Sequence, residues 1–401
     1  MRTNPPLFMT AGFRLFFLLS ALYAVVGMGL WVVWLAIHAA GAMVVQPTIS
    51  IAPYQWHGHE LVFGYAAGVI AGFFLTAAPN WTGAPVGRTA FLAAAGSLWL
   101  AGRLAMAFSA AIPPLAVALI DLVFLPMLSW RLALNLFRRP KPQNIALLGL
   151  IALIWAGDAM THAEWTGLTN DTTERGLWLG VAAVSALIAV MGGRITPAFT
   201  RNAMMRVGAG VQLPRSRPWA DRAGVATAVV MALALAVDAP EWLLGCVALA
   251  ACLTNGIRAA GWRTRATLGE PLLWALHLGF ALLVLGYGLL ALAWLTHLLH
   301  PVAALHGLAI GAIGTMTLAM MTRAPLGHTG RALTAGTPIA VAYGLVALSA
   351  LLRVAVPELA PSWYNAGVLV AGLSWISAFT IYAVVYWPVL TGPAALPSPQ
   401  V

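Results

Sequence analysis

The sequence predicts an all-α membrane protein: a polytopic bundle of about twelve transmembrane helices with both termini in the cytoplasm. Three observations predict it. Of the 401 residues, 61% are hydrophobic and only 8% are charged, and the mean hydropathy is +0.87. A soluble domain carries about 25% charged residues. Twelve apolar runs are long enough to cross a bilayer, and the basic residues between them fall mainly on one side. One bundle domain over residues 1–401 is expected, with no separate soluble domain and no short-period repeat.

The first run, 13–38, is longer than the core of a cleavable signal, about 7–15 residues, and reads as a membrane anchor. The others lie near 55–78, 90–108, 114–137, 145–161, 176–193, 223–237, 242–260, 271–297, 302–322, 335–355 and 363–387. The seventh is the shortest. Helix is the form each must take, because an isolated run in lipid has to satisfy its own backbone. Proline stands near the first turn at Pro113-Pro114, Pro271 and Pro301, where its missing N–H costs nothing. Pro79 is expected to close the second span. The longest loop is expected over 194–222.

A formal net charge of +10 invites a nucleic-acid reading, but the positions of the charges argue against it. With the N-terminus in the cytoplasm, the cytoplasmic segments hold Arg2, Arg14, Arg88, Arg138, Arg139, Lys141, Arg194, Arg201, Arg206, Arg215, Arg217, Arg222, Arg258, Arg263, Arg265, Arg323 and Arg331. The opposite side holds Arg175 and Arg353, while Arg103 and Arg131 fall within spans. That asymmetry orients the bundle and assigns the charge to the membrane surface, not to nucleic acid. Cys246 and Cys252 lie six apart in one apolar run, which suits buried small hydrophobes better than a ligand pair.

This topology sorts the histidines into two layers. His57, His59 and Glu60, in the segment Trp56-His57-Gly58-His59-Glu60, enter the second span at the outer face. His306 enters the tenth at similar depth, and His162, His297 and His300 mark outer helix ends. His277 lies at the inner end of the ninth span, and His328 lies in an inner loop between Arg323 and Arg331. Histidine is the commonest metal ligand, and ionisable groups inside a membrane are functional candidates. At about 100° per residue, His57 and His59 point about 200° apart, so they suit two centres better than one ion. The plainer alternative is interfacial or packing histidines satisfied by hydrogen bonds; for His162, His297 and His300 that is the reading taken. Arg323 and Arg331 could hold carboxylates such as haem propionates. Arg103 is expected to pair with Asp121 or Asp158, or these carboxylates belong to a proton route.

Several spaced motifs in order then carry a resemblance. They are Trp56-His57-Gly58-His59-Glu60; Thr76-Ala77-Ala78-Pro79-Asn80-Trp81-Thr82-Gly83; Gly192-Gly193-Arg194-Ile195-Thr196-Pro197-Ala198-Phe199-Thr200-Arg201-Asn202; Trp274-Ala275-Leu276-His277-Leu278-Gly279; and His306-Gly307 through Met321-Thr322-Arg323-Ala324-Pro325-Leu326-Gly327-His328-Thr329-Gly330-Arg331. Over about residues 10–390 the chain resembles the NnrS family of bacterial inner-membrane proteins. The resemblance implies twelve spans, association with haem (b-type is the expectation) and copper, and a link to denitrification and nitric oxide resistance. It implies metal ligation by His57, His59, His277, His306 and His328, and a cofactor pocket involving Asn80, Trp81, Arg194, Arg201, Arg323 and Arg331.

Three functional readings follow. The first is an oxidoreductase that reduces two nitric oxide molecules to nitrous oxide with two electrons and two protons. In that reading haem stands beside a second metal (copper or non-haem iron), Glu60 delivers protons and membrane quinol donates electrons. The chain has no CxxCH motif and no iron–sulfur cysteine pattern. The second is a non-enzymatic haem–copper protein that binds nitric oxide. The third is a secondary transporter, for which the broken-helix signature is weak.

Overall fold

The computed structural model describes residues 5–42, 48–85, 87–208 and 212–395, and among these every regular element is helical. Twelve helices are long and apolar enough to span a membrane. They are α1 (Gly12–Ala39), α2 (Pro53–Thr82), α3 (Thr89–Ala107), α4 (Pro114–Leu136), α5 (Pro142–Trp165), α6 (Thr173–Arg206), α7 (Pro218–Ala236), α8 (Glu241–Ala260), α9 (Pro271–Thr296), α10 (Pro301–His328), α11 (Thr337–Leu359) and α12 (Pro361–Thr391). The chain is thus a multi-pass membrane protein. Most buried are α2, α6 and α10, with 78%, 89% and 78% of their apolar windows covered, against 33–50% for the rest. These are the three helices that carry most of the polar motifs, and burial of that kind is where intramembrane polar groups belong.

Proline begins most of the helices, at Pro53, Pro114, Pro142, Pro218, Pro271, Pro301 and Pro361, and it stands second in α11. It also lies inside helices, where it costs the carbonyl four residues earlier its partner. Two such carbonyls are claimed by aromatic donors. Pro126 breaks α4 at Val123, and the Trp155 indole donates to the Leu122 carbonyl at 3.0 Å. Pro325 bends α10, and the Tyr382 hydroxyl donates to the Met321 carbonyl at 3.0 Å.

Three expectations are corrected here. Pro79 lies inside α2, which runs on to Thr82. The sixth span does not end at 193: α6 continues through Arg194 and Arg201, so much of the expected 194–222 loop is helix, and 209–211 lie outside the described residues. Arg323 and His328 are on α10, not in a loop. Threonine hydroxyls bond back within two of these segments: Thr200 Oγ1 donates to the Thr196 carbonyl at 2.8 Å, and Thr329 Oγ1 to that of Pro325 at 2.7 Å.

The described chain divides into two compact units, 1–180 with 321–333 and 379–401, and 181–320 with 334–378. In the first, α5 and α6 cross at glycine: a Cβ on Gly157 would sit 2.6 Å from the Gly176 carbonyl oxygen. Only glycine permits that approach, and Asp158 follows it directly. The second unit is braced by buried Arg258 of α8. It pairs with Asp221 of α7 at 3.0 Å and donates to the Ala189 carbonyl of α6 at 3.0 Å and to Asn255 Oδ1 at 2.8 Å.

Candidate functional site

The first unit holds a cluster of six buried ionisable side chains: His59 and Glu60 of α2, Arg103 of α3, Asp121 of α4, and Asp158 and His162 of α5. All stand near one end of their helices. Counting from Pro53, Ala107, Pro114 and Trp165 at about 1.5 Å per residue, they lie within about 10 Å of that end. Consecutive spans alternate direction, so these four ends share one side.

The backbone is fitted to the cluster. After His59 the helix widens into a π-helical turn over Glu60–Ala66, a distortion frequent at functional sites. Gly64 lies in that turn, where a Cβ would stand 2.5 Å from Arg103 Nη1; glycine makes the room the guanidinium occupies. The Gly64 carbonyl is taken by the Trp99 indole at 3.0 Å.

His59 lies between carboxylates. Its Nδ1 meets Glu60 Oε1 at 2.9 Å; its Nε2 meets Asp158 Oδ1 at 2.9 Å and Asp121 Oδ2 at 3.2 Å. His162 Nε2 faces the same two oxygens, at 3.1 Å for Asp121 and 3.7 Å for Asp158. Arg103 donates to Glu60 Oε1 at 2.8 Å and to Asp121, as the sequence led one to expect, while the Tyr23 hydroxyl donates to Glu60 Oε2. Trp165 packs its ring 5.2 Å from both imidazoles. Beyond the cluster, toward the helix ends, Trp56, Ala105, Met106 and Val117 form an apolar layer with Trp165 at its edge. His59, Asp121, Asp158 and His162 each offer a ligand atom within 4.8 Å of the others, so this set could hold a metal ion.

The other residues singled out from sequence lie elsewhere. His57 is on the opposite face of α2, stacked on Trp31 with ring centres 4.6 Å apart. Asn80 is exposed, and Trp81 leans on Phe73 and Phe74. Arg194 is half-buried on α6, and Arg201 donates to the Pro214 carbonyl at 3.2 Å. His277 has both ring nitrogens bonded to threonine hydroxyls, Nε2 to Thr200 at 2.8 Å and Nδ1 to Thr264 at 3.0 Å. His306 Nδ1 donates to the Val302 carbonyl at 2.7 Å. Arg323 is buried on α10, Arg331 donates to the Pro393 carbonyl at 2.9 Å, and His328 stacks on Phe13.

Sequence reasoning set His162 aside as a helix-end histidine; it is buried at 2% exposure inside the cluster. Its signal was the spacing to Asp158: four residues apart on a helix, the two share a face.

A family model described as NnrS protein matches residues 7–394, nearly the whole chain. No curated protein matches it. That family is one of membrane proteins linked to nitric oxide.

Proposed function

This chain belongs to the NnrS family, and on that footing we propose that it binds nitric oxide in the bacterial inner membrane and reduces it to nitrous oxide with electrons from membrane quinol. One observation carries the reading: a proton-bearing cluster, buried at 0–4% exposure, beside the motif that opens α2. Joining two nitric oxide molecules consumes two electrons and two protons and releases nitrous oxide and water. Protons, unlike the gas, need fixed carriers in a low-dielectric interior.

Glu60 is the proposed proton donor. Tyr23 and Arg103 hold its two oxygens, so its carboxyl is fixed in position and linked to a hydroxyl that is itself half-buried. Tyr23 lies at the side of Glu60 away from His59, where it can return the proton that Glu60 gives up.

Haem, when bound, supplies the iron that holds nitric oxide and accepts electrons. Among the histidines proposed for it is His306. Its Nδ1–H is spent on the Val302 carbonyl, which puts the ring's lone pair on Nε2, the arrangement usual for a metal-bound imidazole. His277 would have to release a threonine to ligate, and His328 and His57 would have to leave an aromatic stack. Asn80, Trp81, Arg323 and Arg331 of the first unit, and Arg194 and Arg201 of the second, are the residues proposed for cofactor binding. Arg323 is buried on α10, and a guanidinium can hold a carboxylate by charge-assisted hydrogen bonds.

The test is anaerobic nitric oxide consumption by purified, haem-loaded protein supplied with a quinol. Wild type should consume the gas and form nitrous oxide, and Glu60→Gln should slow turnover while haem content stays the same. Stoichiometric binding without nitrous oxide would replace catalysis with binding alone.

A further inference from the structure

We propose that His59, His162, Asp121 and Asp158 form a mononuclear site for one divalent transition-metal ion, with Glu60 as the outer partner that orients His59. The assignment concerns the cluster used above but is read by metal uptake without turnover, so either reading can fail alone.

The first argument is metric. A transition ion holds imidazole nitrogen and carboxylate oxygen at about 2.0–2.2 Å. Neighbouring ligand atoms on such a sphere stand about 3.0 Å apart at right angles and about 3.4 Å apart at the tetrahedral angle, by the same radius. The four nitrogen–oxygen edges between these side chains are 2.9, 3.1, 3.2 and 3.7 Å. Three of these spacings match neighbouring ligands on one ion and the fourth, 3.7 Å, is longer, with all four ligand atoms within 4.8 Å of one another.

The second argument is the hydrogen count. His59 Nδ1 faces the Glu60 carboxylate, so that nitrogen carries a ring hydrogen. Facing two carboxylate oxygens at 2.9 and 3.2 Å, Nε2 either carries a second ring proton or turns its lone pair toward a cation between them, and the proposed ion takes that place. A carboxylate behind a ligating histidine is also the usual outer-shell arrangement of metal sites, fixing the tautomer and the ring plane. Glu60 is itself fixed by Arg103 and Tyr23, so the orientation extends to a third layer.

The third is charge. Three carboxyl groups, Glu60, Asp121 and Asp158, stand against one arginine, Arg103, all buried at 0–4% exposure, so their excess charge has to be met by protons on the carboxyls and imidazoles or by a cation. Uncompensated charge at that depth is costly, and one dication cancels it. The donor set chooses the class: imidazole and carboxylate together suit copper(II), iron(II) or zinc rather than calcium or copper(I), and Cys246 and Cys252 of α8 are not among the donors. The donors therefore fit the copper or non-haem iron that the family implies.

The experiment uses full-length protein in detergent, stripped with a chelator and titrated with copper(II) and, in parallel, zinc(II). One ion per chain should be retained after desalting, and the copper(II) paramagnetic resonance spectrum should carry hyperfine structure from two imidazole nitrogens. His162→Ala should leave one nitrogen. Asp158→Asn, nearly isosteric, should weaken retention by more than the about 10–100-fold that loss of an outer partner costs, and Glu60→Gln should fall within that range. His38→Ala, at the exposed end of α1, controls for adventitious uptake and should change nothing. The proposal is overturned if wild type retains no ion, or if retention and the two-nitrogen spectrum survive in both His162→Ala and Asp158→Asn. A melting curve for each variant confirms that it is folded.

Discussion

Arg103→Met is the substitution whose cost the geometry fixes most directly. Arg103 donates to Glu60 at 2.8 Å and to Asp121, and both partners are buried. At an effective dielectric of about 20, unit charges at this separation attract by about 5–6 kcal/mol per pair. Most of that offsets desolvation while the pair is intact. Removing one partner leaves the other buried and uncompensated, which costs about 3–5 kcal/mol, a factor of about 10²–10⁴ in the folded-to-unfolded ratio. Methionine keeps much of the side-chain length, so packing loss is a minor part. The assay is equilibrium unfolding in mixed micelles, following tryptophan emission, for Arg103→Met, Asp121→Asn and the double variant. The double variant should be more stable than the sum of the two losses predicts, with a coupling of about 1–3 kcal/mol. Strictly additive losses, or an Arg103→Met midpoint equal to wild type, would refute the ion-pair account of this core.

Three further outcomes are expected. Trp155→Phe leaves the Leu122 carbonyl without the donor that compensates for Pro126; the loss should be about 0.6 kcal/mol and at most about 1.7, and the same unfolding assay reads it. Gly64→Ala puts a methyl 2.5 Å from Arg103 Nη1, so it should displace the guanidinium and destabilise by about 1–3 kcal/mol; an unchanged midpoint would mean that the π-helical turn relaxes freely. A reporter fused after residue 401 and another inserted near residue 213 should both read cytoplasm, from the loop-charge asymmetry, and a periplasmic signal from either would invert the depth assignment of the histidines.

The spans were legible because each is a run of apolar residues whose length the bilayer dictates, and the Arg103–Asp121 pair because buried charges must be compensated. What stayed hidden is instructive in physical terms. Segments such as Thr196-Pro197 and Thr322-Arg323-Ala324-Pro325 read as loop because they are polar and contain proline. They are helical all the same, and Tyr382, far along the chain, takes up the Met321 carbonyl that Pro325 leaves, a donor that local sequence does not reveal. The His57/His59 pair was separable from helical phase alone, and the two do occupy opposite environments. The partners of His59 were not separable in that way. Asp121 and Asp158 lie on other helices, and nothing in a single sequence aligns the depths of three spans to the nearest turn. The π-helical turn left no signal of its own beyond Gly64, one glycine among 39.

The apolar layer of Trp56, Ala105, Met106 and Val117 decides what can reach the cluster. Each of its members lies between a cluster residue and the end of the same helix: Trp56 before His59, Ala105 and Met106 after Arg103, and Val117 before Asp121. Apart from the Trp56 indole N–H its side chains are apolar, so water and inorganic anions find few hydrogen-bonding partners in it. An uncharged diatomic gas, such as the nitric oxide of the proposed function, has little polarity to desolvate and would cross it as it crosses the bilayer. The same layer that would make the charges of the cluster expensive also keeps bulk water from screening them, which strengthens every interaction among them. A proton cannot follow the gas, so it must enter by side chains. The polar contact on the side of Glu60 away from the two aspartates and His59 is Tyr23, on α1. Under the proposed function, gas and proton would enter separately, and Tyr23, rather than a residue at the helix ends, is the side chain on which the proposed proton route would depend.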